Sequence, residues 1–342
     1  PALAEPHRYR ACTTDLLVDH AARHHWLDVF RHQIDVLLHA AAAEAVPPDD
    51  REAAREDWLR HLDRIEHQPD LYGRLDILLL DALRQTFLLQ RGIEDEFRTL
   101  KQHENERALA ELPGRLRDLD TLDPRDRLPA LVRGCLAGNL FDMGVQATAT
   151  AYRDGTIPFA EALTRIPARP WIRDDLDAAT ARWNERPPTH AVLFIDNAGG
   201  DCILGALPLA REVLARDGRV TLAANEKPVL NDMTAADLRS VLDEVARMDP
   251  DFADPRLHVV SNGHYTPLID LTQVSTELAE ATTDADWIVL LGMGRSIESN
   301  YHARFTCPAL KIAMVKDAQV GDTVGGTPFN AVCRFDSPAA DA

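Results

Sequence analysis

The chain has 342 residues, 45% of them hydrophobic, with five cysteines and a formal net charge of -18. That apolar content supports an ordinary globular core rather than a disordered chain. The acidic balance argues against a nucleic-acid groove, which needs clustered Lys and Arg. Apolar runs such as Trp287 to Leu291 are too short to cross a bilayer and residues 1–15 lack an apolar signal core, so a cytoplasmic protein without membrane partners is expected. Cys12, Cys135, Cys202, Cys307 and Cys333 lie far apart with no Cys-x-x-Cys pair, which predicts buried, reduced thiols.

The first half has a helical period. Trp26, Phe30, Ile34, Leu37 and Leu38 form one stripe, Trp58, Leu59 and Leu62 a shorter one, and Leu79, Leu80, Leu83 and Phe87 a third. Ile93, Phe97 and Leu100 open a further helix that runs into Lys101 and Asn105. Charged, proline-containing segments at 111–128 and 165–189 punctuate the series. No strand is expected before about residue 188. The segment Glu185-Arg186-Pro187-Pro188-Thr189-His190 suggests a boundary between a helical domain, 1–187, and an α/β domain, 188–342.

Beyond that boundary, short β-rich runs at 191–196, 219–224, 257–260, 286–291, 310–315 and 330–335 alternate with helical stretches. Such alternation predicts a mostly parallel, doubly wound Rossmann-like sheet. Right-handed crossovers then place helices on both faces. Thr234 with Asp237 three residues later resembles a capping box opening a helix over 235–248, which leaves Asn231 and Asp232 upstream of it.

Open parallel sheets bind ligands beyond the carboxyl ends of their strands, so polar residues placed there carry weight. Phe194-Ile195-Asp196-Asn197-Ala198-Gly199-Gly200-Asp201 is such a place, and Asn225 to Asp232, one βα unit later, is a second. Asp196, Asn197 and Asp232 make an all-oxygen set that suits a hard divalent cation. Two carboxylates in one crevice would repel and resist desolvation unless a cation compensates them. Gly292-Met293-Gly294-Arg295-Ser296-Ile297-Glu298 follows a strong strand and adds close backbone approach, a cation and a carboxylate; Lys316 ends the next strand. Arg295 and Lys316 would supply local positive field for an anionic substrate. The sequence contains no P-loop, its Gly-x-Gly lacks a third glycine, Ala198 stands where a haloacid-dehalogenase-type site needs a second Asp, and no His-Glu-x-x-His occurs.

Together, Phe194 to Gly199, Pro228-x-x-Asn231-Asp232, Gly292 to Arg295 with Glu298 and Asn300, and Met314-Val315-Lys316 resemble the metal-dependent damage-control phosphatases. The similar branch is that of stand-alone plant proteins and the C-terminal domain of vertebrate pseudo-pantothenate kinases. Lys101-x-x-Glu104-Asn105, Gly138-Asn139-x-Phe141-Asp142-x-Gly144 and Arg169-Pro170-Trp171-x-x-Asp174-Asp175-Leu176 extend the likeness into the helical half. The resemblance implies one divalent metal (Mg, Mn, Co or Ni) on Asp196, Asn197 and Asp232. It implies phosphate contacts from Asn139 and Lys316, with Asp142, Arg295 and Glu298 as further substrate contacts.

The implied reaction is hydrolysis of a small phosphate monoester, a phosphopantetheine-type or sugar-phosphate metabolite that could be a damaged one, with Asp196, Asp232 and Lys316 as catalytic groups. Whether Asp196 attacks phosphorus or orients a water is left open, as is oligomeric state. Two other readings remain: a regulatory protein that binds a phosphometabolite without turnover, and a carboxyl methyltransferase. The intact Asp-Asn and Asp set favours turnover, because a binder could manage with cationic groups alone. The methyltransferase would need a glycine-rich adenosyl-methionine loop that the sequence does not show.

Overall fold

The computed structural model describes residues 3–12, 14–140 and 158–338. Its centre is a seven-stranded sheet of β1 (Arg173–Asp174), β2 (His190–Phe194), β3 (Arg219–Ala224), β4 (Leu257–Ser261), β5 (Trp287–Leu291), β6 (Ala309–Met314) and β7 (Ala331–Asp336). The strand order is β1-β7-β6-β5-β2-β3-β4, parallel throughout except for the antiparallel β6–β7 pair.

The expected strands appear within a residue or two of their predicted positions because strands buried on both faces are continuous apolar runs. Along β2 and just beyond it, Ala191, Leu193 and Ile195 enter the core on one face of the sheet, whereas Val192 and Phe194 enter the core on the other. One correction falls before residue 188, where no strand was expected. Arg173 and Asp174 pair in parallel with Val332 and Cys333 at the sheet edge. Two residues are too few to register as an alternating pattern.

Five helices precede that strand in the first 140 residues: α1 (His20–Ala43), α2 (Pro48–His67), α3 (Ile77–Gln90), α4 (Arg98–Asp120) and α5 (Arg127–Leu140). The stripe on α1 is buried as predicted. Helix α4 runs through Pro113 to Asp120, so the expected break at residue 111 is absent. The remaining helices are α6 (Phe159–Arg165), α7 (Leu176–Glu185), α8 (Leu207–Ala215), α9 (Ala235–Met248), α10 (Thr276–Ala281) and α11 (Ala318–Val324). Helices α4 to α7 share a core with one face of the sheet. The core of α1 to α3 continues instead onto Leu268, Ile297, Ala313, Val315 and Val332, close to the carboxyl ends of β5 and β6. All five cysteines are buried and unpaired, as their spacing suggested.

On helix α3 the periodicity reading needs a second correction. Leu79 and Leu83 are half-buried, whereas Asp81, Arg84 and Gln85 turn inward with Ile77, Leu80 and Leu88. The apolar stripe leans on α2, where Phe87 meets Trp58 with ring centroids 5.6 Å apart. Its polar neighbours face the sheet's carboxyl end.

Candidate active site

After β2 the chain crosses to β3 on one side, and after β4 it returns to β5 on the other, so β2 and β5 flank the point where strand order reverses. Open α/β sheets place ligands in the crevice at such a point. Asp196 lies just past β2, Asp232 in the loop after β3, and Gly292 to Glu298 just past β5. The sequence-predicted residues Asp196, Asn197, Asp232, Arg295 and Glu298 therefore come to one end of the sheet.

Backbone pairing fixes the two acidic loops against each other. Asn197 and Asp232 form an isolated antiparallel bridge. Ala198 N donates to Asn231 O at 2.9 Å, and Met233 N donates to Asp196 O at 2.9 Å. The Asp232 loop turns at Leu230, whose φ of 48° lies in the left-handed region that costs a branched residue about 1–2 kcal/mol. Downstream, Thr234 Oγ1 accepts from Asp237 N at 3.0 Å and starts α9 as its sequence predicted.

All three candidate ligands are buried. Asp196 Oδ2 accepts from Asn139 Nδ2 at 3.0 Å and from Asn197 Nδ2 at 2.9 Å. Asp232 Oδ2 accepts from Asn225 Nδ2 at 3.0 Å. The guanidinium of Arg295, with no solvent exposure, joins the two acids: Nη1 donates to Asp196 Oδ1, and Nη2 donates to Asp232 Oδ2 at 2.8 Å. Burial acts to lower the Arg295 pKa, but Asp232 and Asp196 outweigh it and raise it. The repulsion inferred from sequence is thus already met by an internal cation, a role that needs the fold to bring residues 196, 232 and 295 together. Arg295 Nε has no hydrogen-bond partner.

Asn139 comes from α5, in the helical half. Its Nδ2 bonds both Asp196 and Asp201, at 3.0 and 3.1 Å, while its Oδ1 accepts from Met314 N at 3.0 Å. Its carboxamide therefore ties α5 to β6 as well as to the Asp196 loop. Lys316 lies half-buried past β6, where its charge acts on both Asp201 and Glu298. Asp142 lies outside the described residues.

Asp201, Asn225 and two π-helical turns were not singled out by sequence reasoning. Asp201–Ala206 and Gly294–Glu298 each form a π-helical turn directly after a strand-end loop. Such turns concentrate at functional sites. Asn225 is fully buried one residue past β3, and its Oδ1 accepts from Arg295 Nη2 at 3.0 Å. Burial and then Asp196 push Asp201 up to about 7. Burial, followed by Asp81 and Asp317, pushes Glu298 up to about 8. Both signals were polar residues within a few positions of a strand end.

Gly292 shows how closely the crevice is built. Its φ is 86°, and a Cβ there would lie 2.0 Å from Asp196 Oδ2. No side chain fits between β5 and the Asp196 carboxylate.

The donor chemistry of Asp196, Asn197 and Asp232 fits a hard, oxygen-preferring cation. Among the described residues, no group of three or more His, Cys, Asp and Glu side chains is arranged as a metal site. The candidate set has two carboxylates, with a carboxamide as its third member and Arg295 beside them.

The fold and this crevice define an α/β protein with a doubly wound sheet and a buried acidic site at its strand-order switch. The chain belongs to the damage-control phosphatase ARMT1-like domain family, whose profile matches residues 26–329. It is 37% identical over 319 residues to the damage-control phosphatase At2g17340 of Arabidopsis thaliana, covering 91% of this chain and 87% of that protein. It is 38% identical over 376 residues to pantothenate kinase 2 of the same plant, covering 99% of this chain and 42% of the kinase. With the mouse 4'-phosphopantetheine phosphatase it shares 32% identity over 396 residues, covering 99% of this chain and 48% of the mouse protein. The chain thus spans less than half the length of these last two relatives. A DUF89 family protein of Pyrococcus horikoshii has the same fold, with a TM-score of 0.65 at 19% identity over 90% of this chain and 96% of its own. Among the described residues, no helix is long and apolar enough to cross a membrane.

Proposed function

We propose that the chain is a metal-dependent phosphatase that hydrolyses small phosphate monoesters, of phosphopantetheine type or sugar phosphates. The observation that carries this reading is the Asn197–Asp232 backbone bridge, which holds Asp196 and Asp232 side by side at the strand-order switch. The family and the activities for which its relatives are named support the reaction class. Asp196, Asn197 and Asp232 are the groups that would hold one divalent cation, Mg, Mn, Co or Ni. When bound, it would neutralise phosphoryl charge as the ester bond breaks.

The chain's own residues do the rest by position and charge. Monoester hydrolysis is so slow unaided that accelerations reach ~10²¹, while one general acid or base gives only about 10² to 10⁴. Preorganised charge must therefore carry most of the barrier reduction. Lys316 and the unpartnered Nε of Arg295 offer donors to phosphate oxygens. Glu298, raised to about 8, keeps its proton at neutral pH and would meet a bound phosphate as a donor rather than a repelling anion. Asn139 holds the Asp196 carboxylate in place and so acts as a positioning residue in this reading.

The test is phosphate release from a panel of phosphomonoesters by the metal-supplemented protein and by Asp196→Asn. Release by the parent chain that falls at least about a hundredfold in the variant supports the reading, that being the usual effect of one electrostatic group. Equal activity in both proteins would remove Asp196 from the reaction.

A further inference from the structure

Lys316, the cation expected to meet the phosphate, has an acid as its next neighbour in the chain. After burial and Asp81, Asp317 is the next influence that raises Glu298, and Lys316 is the one that opposes it. The Asp317 carboxylate and the Lys316 ammonium therefore border the same end of the crevice. An unrestrained carboxylate there would repel a phosphate and draw the lysine to itself.

Both oxygens of Asp317 are instead engaged elsewhere. Oδ1 accepts from Gln319 N at 2.8 Å and from Val320 N at 3.1 Å, and so caps α11. Oδ2 lies 2.9 Å from Nε2 of His25, a residue of α1 that is 292 positions away. A carboxylate can only accept, so the imidazole Nε2 carries the hydrogen and donates it.

This bond is not what holds the neighbouring backbone. Val315 N donates to Asn330 O at 2.8 Å, and Phe329 N donates to Val315 O at 2.7 Å. Lys316 N donates to Met293 Sδ at 3.2 Å. On the other side, α1 is anchored by the buried Trp26, which meets the His25 ring edge-on with centroids 5.4 Å apart. His25 and Asp317 are both only half-buried, a setting in which one such pair adds little to stability. Its consequence lies in where the carboxylate is kept.

We propose that His25 is a positioning residue for phosphate binding: it holds the Asp317 carboxylate away from the Lys316 ammonium and leaves that cation to the substrate. This rests on the reading above in which Lys316 contacts phosphate. Helix α1 thereby sets the charge that the carboxyl end of the sheet offers to an anion.

The test is a double-mutant cycle on the metal-loaded full chain, read as kcat/KM for phenyl phosphate. His25→Phe keeps an aromatic ring against Trp26 but has no N–H. It should lower kcat/KM about fivefold, the equivalent of about 1 kcal/mol. His25→Gln, which still presents an N–H, should stay near the parent. Asp317→Asn keeps a helix-capping side chain without the charge, so it should not lower kcat/KM, and His25→Phe made in that background should change nothing. A bond that only braces the loop predicts otherwise: Asp317→Asn would lower kcat/KM as His25→Phe does, or His25→Phe would cost the same in both backgrounds. Either result, or parental kinetics in His25→Phe, would overturn the assignment. His25→Leu takes the place of His25→Phe if that chain does not fold.

Calorimetric binding of orthophosphate gives a readout free of turnover. It should weaken about fivefold in His25→Phe and recover when Asp317→Asn is added. If the parent chain cleaves no ester, the phosphatase reading fails and orthophosphate binding decides the role of His25 by itself. No binding in the parent, or equal binding in all the variants, would overturn that role.

Discussion

Arg295 and Asp232 are joined by a 2.8 Å bond between Nη2 and Oδ2, with the guanidinium wholly shielded from solvent. The same guanidinium reaches Asp196, so a single internal cation spans both carboxylates. A buried charge stripped of its partner is costlier than a pair that was never buried.

Arg295→Met should therefore destabilise the metal-free protein by about 3–5 kcal/mol, by leaving two acids unscreened. Saturation with Mn²⁺ should recover part of that loss, since an added cation restores the charge balance. Thermal melts with chelator and with Mn²⁺ measure both. A variant as stable as the parent in chelator would mean that Arg295 does not bridge the acids.

Asp232→Ala reverses an expectation that follows from the sequence alone. Two bare carboxylates would gain from the removal of one, whereas here the loss takes a charge-assisted bond from Arg295, which keeps Asp196, and a hydrogen bond from Asn225. The variant should melt lower than the parent in chelator, by the equivalent of about 1–3 kcal/mol. An unchanged or raised melting temperature would restore the picture of simple repulsion.

Gly292→Ala combines a left-handed φ with a Cβ placed on the Asp196 carboxylate. The backbone term alone costs about 1–2 kcal/mol. Because the clash displaces Asp196 from the side of β5, phosphate release should fall about 10²-fold or more, the usual cost of an ångström-scale misplacement. Kinetics of the folded variant check this. Near-parental kcat/KM would show that the carboxylate position is not critical.

Asp201 gives a pH signature. Burial and then Asp196 raise its carboxyl from the ordinary 3.8 to about 7. Below the ordinary value both folded and unfolded chains are protonated there, so nothing is lost. As pH rises from about 4 to 7 only the unfolded chain ionises, and the folded state loses stability. Asp201→Asn, which imitates the protonated acid, should match the parent near pH 4 in chelator, gain on it steadily up to about pH 7, then level off. Denaturant unfolding across that range measures it; a constant difference would contradict the raised value.

Both Asp196 oxygens are engaged, Oδ1 by Arg295 and Oδ2 by Asn139 and Asn197. An oxygen so bound is a poor nucleophile, which favours direct displacement by water. A phosphomonoester chiral at phosphorus should then react with inversion. Retention would indicate two displacements and a phosphorylated enzyme.

Much of this was legible in the sequence for identifiable reasons. Parallel strands buried on both faces leave apolar runs, and the strand-end rule picks out Asp196, Asn197 and Asp232 without coordinates. The Thr234–Asp237 cap is a local pattern and was equally readable. What was hidden depends on long-range contact. Arg295 reads as a cation for an anionic substrate until residue 196 is seen against it, 99 positions away. The inward polar face of α3 was masked by the leucines beside it. Gly292 is set by a carboxylate from a neighbouring strand, and the β1 pair is too short to have a period.

In the proposed reaction, one divalent ion on Asp196, Asn197 and Asp232 drives phosphate release. The most direct measurement is release from 4'-phosphopantetheine and sugar phosphates after exhaustive chelation, then after single additions of Mg²⁺, Mn²⁺, Co²⁺ or Ni²⁺. The account predicts loss of release on chelation and recovery with at least one ion in the parent chain, but not in Asp196→Asn. Undiminished release in chelator, or none with any ion, would contradict it.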